Sequence, residues 1–151
     1  MKMSKRLLII EDNDSKLNRL CQFCANYLVD YFVSDKRSYN SALSEVVHNG
    51  RNYDLILLDV SMNTYDISPE ESDGEQEPLA GSNILRFMKL RKIFVPVIVV
   101  TMYESFVDGI KIDKLDEGFR EKYPEFYKGY VYYSLRNEDW ITHLKDLIEK
   151  L

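Results

Sequence analysis

Cysteine is nearly absent from this 151-residue chain: Cys21 and Cys24 stand alone in one helical stretch, with no second Cys or His pair nearby. That pattern reads as two core residues on a helix face ahead of a zinc site or a redox pair. Basic charge is also in deficit, with 20 Lys and Arg against 25 Asp and Glu, a net charge of -5. A general affinity for nucleic acid requires dense cationic surface, so no direct nucleic-acid partner is expected. Long apolar runs are missing at the start. After the basic opening Met1 to Arg6, the run Leu7 to Ile10 ends at carboxylates. It is too short for a signal peptide or a membrane span, so a cytoplasmic location without a membrane partner is expected.

What is present suffices for a folded core, since 45% of the residues are hydrophobic and 13% aromatic. Leu7-Leu8-Ile9-Ile10 and Leu55-Ile56-Leu57-Leu58 are continuous apolar runs of the kind buried on both faces of a parallel sheet. Val95 to Thr101 is a third, β-branched run with Pro96 near its start. Tyr31 to Ser34 and Gly129 to Tyr133 are weaker strand candidates.

Helical spacing fills the gaps. Leu17, Leu20, Cys21, Cys24 and Leu28 share one face of a helix that Asp14 or Ser15 would cap. A second helix spans about Ser38 to His48, with Leu43, Val46 and Val47 inward and a stop at Asn49-Gly50. A third opens at Gly81-Ser82 and runs to about Lys92, with Ile84, Leu85, Met88 and Leu90 inward. The last covers Asn137 to Leu151, with Trp140, Ile141, Leu144, Leu147, Ile148 and Leu151 on its apolar side. Between the third strand run and Lys128 the pattern is irregular: helical spacing at Phe106, Ile110 and Leu115, and breaks at Gly109, Gly118 and Pro124.

Alternating strands and helices predict an α/β fold, a three-layer sandwich around a five-stranded parallel sheet in doubly wound, flavodoxin-like (βα)5 order. The expected organisation is one domain over 1–151, with an acidic loop insertion at about 63–80 and an extended segment at about 102–128. Ligands bind such sheets beyond the C-terminal strand ends, at the switch in strand order. Glu11, Asp12 and Asp59 all follow apolar strands at that end. Carboxylates gathered in a crevice repel one another unless a hard cation joins them, so a divalent-metal site is expected there.

The stretches Leu8 to Asn13, Tyr53 to Met62 and Val95 to Thr101 resemble the response-regulator receiver family. The resemblance extends to the CheY-like order of elements along the whole chain. It implies Asp59 as the phosphoacceptor and a magnesium ion held by Glu11, Asp12, Asp59 and the backbone carbonyl of Ser61. Thr101 matches the hydroxyl that bonds the phosphoryl group, and Tyr130 the aromatic that reports it, although Tyr130 also fits a simple edge-strand role, as Tyr132 does. A histidine kinase or phosphotransfer protein is the implied donor and a downstream protein the implied output. With nothing after Leu151, a stand-alone domain is expected.

The chain departs from the family pattern at the fifth strand. Its usual lysine and proline are matched by Tyr133 and Ser134, with Lys128 and Arg136 the nearest cations in sequence. Asn63 replaces the proline usual after the acceptor. These departures keep open a degenerate receiver that binds a partner without phosphorylation. A magnesium-dependent hydrolase fits less well, because Asp59-Val60-Ser61 lacks a second acid. The acidic loop reads as a solvated face, and His48 and His143 are isolated.

Overall fold

The computed structural model describes residues 4–61, 80–102 and 111–151. Among them, β1 (Lys5–Ile10), α1 (Asp14–Tyr27), β2 (Tyr31–Lys36), α2 (Tyr39–Asn49), β3 (Leu55–Leu58) and α3 (Ala80–Leu90) come first. They are followed by β4 (Val97–Thr101), α4 (Ile112–Lys122), β5 (Tyr127–Tyr132) and α5 (Asp139–Glu149). The strands form one parallel sheet in the order β2-β1-β3-β4-β5. This is the expected doubly wound (βα)5 architecture.

The alternation of side chains along each strand divides the core in two. Leu8, Ile10, Ile56 and Leu58 meet Val46 of α2, Ile84, Leu85 and Met88 of α3, and Phe119 of α4 on one face. Leu7, Ile9, Leu55 and Leu57 meet Leu17, Leu20 and Phe23 of α1, and Trp140 and Leu144 of α5 on the other. All four residues of β3 and all five of β4 are buried, which is why their sequences are apolar without a break.

Several local expectations are corrected. Neither Asp14 nor Ser15 caps α1; the cap is Asn13, whose side chain accepts from the Lys16 backbone N–H. Leu90, at the end of α3, is exposed, and Cys21 is only half-buried whereas Cys24 is buried. Gly118 does not break a helix but lies inside α4, with Leu115 half-buried on the same element. Leu151 is exposed beyond the end of α5. The acidic insertion around Asn63, together with Phe106, Gly109 and Ile110, lies outside the described residues.

The fifth strand starts two residues earlier than its sequence suggests, and Gly129 explains the difference. Val97 pairs with Tyr127 but Val99 pairs with Tyr130, so β5 carries one extra residue, a bulge. Gly129 sits in it at φ +122, a conformation that side chains disfavour. The extra residue puts Tyr127 and Tyr130 on the same face, against α4, while Val131 and Tyr133 face α1 and α5. Gly129→Ala should therefore cost about 1–2 kcal/mol, read as a lower urea midpoint. An unchanged midpoint would mean that β5 adopts its register without the glycine.

Candidate functional site

The strand order reverses at β1, whose neighbours are β2 on one side and β3 on the other. The crevice therefore opens at the C-terminal ends of β1 and β3, where the chain places Glu11, Asp12 and Asp59. The backbone ladder continues into the site, with Glu11 N–H donating to the Lys36 carbonyl at 3.1 Å and Asp59 N–H to the Ile10 carbonyl at 3.0 Å. Carboxylate oxygens of the three acids all lie within 4.8 Å of one another. Glu11 and Asp59 are buried, at 1% and 5% exposure, and Asp12 is half-buried. The three acids could thus hold a divalent cation.

Local bonds orient each acid. Asp59 Oδ1 accepts from both the Ser61 backbone N–H at 3.0 Å and the Ser61 hydroxyl at 2.8 Å. Glu11 Oε2 accepts from the Asn13 N–H at 3.2 Å. A close approach by α3 fixes the Asp59 backbone from behind. A Cβ on Gly81 would fall 2.7 Å from the Asp59 carbonyl oxygen and 2.6 Å from Val60 Cα, so this contact admits glycine alone. Gly81 was expected only to open a helix, yet it seats the loop that carries Asp59.

A residue that sequence reading passes over lies at the centre. Lys16, in the first turn of α1, is 2% exposed. Its Nζ lies 2.7 Å from Glu11 Oε1 and 3.9 Å from Asp59 Oδ2, and donates to the Val100 carbonyl at 2.7 Å. The Glu11 contact is a short, buried ion pair. The oxygens of three acids gathered at one rim are a donor set suited to a hard cation. The signal for Lys16 was its place in the helical period, since Lys16, Leu20 and Phe23 form one inward stripe.

The other expected residues are placed as follows. Thr101 ends β4, fully buried, and its carbonyl accepts from Tyr133 N–H at 2.7 Å. Tyr133, matched to the missing lysine, is 1% exposed, and its ring lies 5.8 Å from Lys16 Nζ and 5.0 Å from the Trp140 ring. Tyr130 is half-buried and its hydroxyl donates to Asp113 Oδ1 on α4 at 2.9 Å. Tyr132 is 39% exposed. Lys128 and Arg136, the nearest cations in sequence, are both exposed, and among the described residues the ammonium beside the acids is that of Lys16 on α1. His48 and His143 are exposed on their helices.

Burial pushes the Glu11 carboxyl up to about 7, with the Asp59 charge adding to the rise and Lys16 opposing it. The ionised form is thus disfavoured in the folded chain. Stability from this group is complete below the usual value near 4.5 and is lost as pH rises towards 7, by at most about 1.4 kcal/mol per pH unit. With divalent cations chelated, Glu11→Gln should gain melting temperature relative to the parent as pH is raised from 4.5 to 8. A constant difference across that range would show that Glu11 ionises freely in the fold.

No family model matches the chain. It is 31% identical over 150 residues to the Detocs response regulatory protein DtcB of Enterobacter cloacae, covering 97% of each chain. It is 32% identical over 149 residues to the uncharacterized protein y4jR of Sinorhizobium fredii, covering 93% of this chain and 95% of that one. Among solved structures it resembles the phosphorylated cyanobacterial phytochrome response regulator RcpA, with a TM-score of 0.66 over 96% of this chain and 91% of that one, at 20% identity. At that identity the likeness carries the fold alone.

Proposed function

The chain belongs to the response-regulator receiver family of phosphorelay signalling, and we propose that it accepts a phosphoryl group on Asp59 in a magnesium-dependent step that alters a protein-binding surface. The observation that carries this reading is the convergence of Glu11, Asp12 and Asp59 within 4.8 Å at the switch in strand order.

Glu11, Asp12, Asp59 and the Ser61 carbonyl are the residues that would hold magnesium. When bound, the ion supplies charge neutralisation for acids that otherwise repel one another and for an incoming phosphoryl group. The protein's own part is alignment. Ser61 holds Asp59 through Oδ1, which directs Oδ2 as the attacking oxygen. That oxygen forms a bond to phosphorus while the bond from phosphorus to the donor's nitrogen or oxygen breaks. The leaving group keeps the electron pair and is protonated from solvent, and an acyl phosphate results.

Thr101, buried at the end of β4, supplies the hydroxyl for the new group. Tyr130 reports it by exchanging its bond to Asp113 for another position, which changes the face formed by α4 and β5. The phosphodonor is a histidine kinase or phosphotransfer protein, and the output is contact with a further protein.

Intact mass after incubation with magnesium and a small phosphodonor tests the proposal. One phosphate should add to the parent and none to Asp59→Ala. No addition to the parent, with the fold intact, would leave a partner-binding module without a phosphorylation cycle.

A further inference from the structure

We propose that Lys16, projecting from α1, supplies the positive charge for the phosphoryl group on Asp59, so that this chain takes from its first helix the cation that its fifth strand lacks. The inference rests on the phosphoacceptor reading above.

Four observations carry it. First, Lys16 Nζ stands between the two buried acids, 2.7 Å from Glu11 Oε1 and 3.9 Å from Asp59 Oδ2. A lysine is almost never fully buried unless paired, and its desolvation is repaid only where charges and hydrogen bonds meet it. Second, the ammonium is anchored by donation to the Val100 carbonyl at 2.7 Å, on the strand that ends in Thr101. It therefore joins the ends of β1, β3 and β4 at one point.

Third, Tyr133 closes the side from which a fifth-strand cation would enter. Its ring is packed on Trp140 and covers Nζ at 5.8 Å, within cation–π range. Its hydroxyl is buried without a hydrogen-bond partner among the described residues. Fourth, the charge count fits a divalent ion rather than replacing it. Oxygens of Glu11, Asp12 and Asp59 gather within 4.8 Å of one another beside this one ammonium. Nζ lies 3.9 Å from Asp59 Oδ2, beyond a direct hydrogen bond but near enough to face a group attached to that oxygen. Bond making and breaking are those given above. Lys16 transfers no proton and serves to hold charge and geometry as negative charge accumulates on phosphorus.

The role predicts opposite effects on two readouts. Lys16→Met should slow phosphate uptake from a small donor about a hundredfold. The same variant should bind magnesium at least about tenfold more tightly by calorimetry, because a like charge has gone from the site. If burial of Lys16 is only structural, magnesium affinity falls together with uptake, which overturns the proposal. So does uptake in Lys16→Met at the parent's rate. The double variant Lys16→Met/Tyr133→Lys, which returns the charge to β5, should recover uptake. Melting temperatures with and without magnesium show whether each variant is folded. Failure of the parent itself to take up phosphate overturns the phosphoacceptor reading and this role with it, whereas uptake by the parent and Lys16→Met alike overturns the lysine's role alone.

Discussion

The structure depends on how a group of buried like charges is kept together. Glu11 and Asp59 are removed from water almost completely, with Asp12 beside them. Two carboxylates a few ångströms apart in a weakly screening interior repel strongly. The fold meets that repulsion with the ammonium of Lys16 and the donors of Ser61 and Asn13. The three acids gathered there could also hold a hard divalent cation. The raised Glu11 carboxyl expresses the same burial and repulsion as proton affinity.

The architecture exists to hold that point. Parallel strands deliver their C-terminal ends to one rim, and the reversal of order at β1 opens a crevice between β1 and β3. Helices packed on both faces bury all of β3 and β4 and the last four residues of β1, so polar residues at those strand ends stand out against them. Gly81 presses α3 against the Asp59 backbone, and Asn13 caps α1 so that its first turn can send Lys16 inward. The bulge at Gly129 sets the faces of β5, directing Tyr130 towards α4 and Tyr133 towards Lys16.

Much of this was legible in the sequence because it rested on period and order. Apolar runs ending in Glu11 and Asp59 gave the strands and the rim, and amphipathic spacing gave α1, α2, α3 and α5 in outline. Three features escaped, each for a physical reason. Lys16 went unnamed because lysine is rarely buried, although its helical period with Leu20 and Phe23 points inward. The Gly129 bulge depends on pairing between distant strands, which no local pattern encodes. Gly118 carried the sign of a helix break but lies inside α4, where Ile112 and Phe119 are buried around it and tertiary packing outweighs propensity.

The absent fifth-strand lysine is thus a relocation of charge. A cation from β5 and one from α1 can reach the same rim from different sides, and in this chain Tyr133 and Trp140 fill the first route while Lys16 takes the second. An experimental structure with magnesium and beryllofluoride bound at Asp59 tests this most directly. The account predicts Lys16 Nζ at about 3 Å, hydrogen-bond distance, from a fluoride. Lys16 left on Glu11 and Val100 while another cation contacts the fluoride would contradict it.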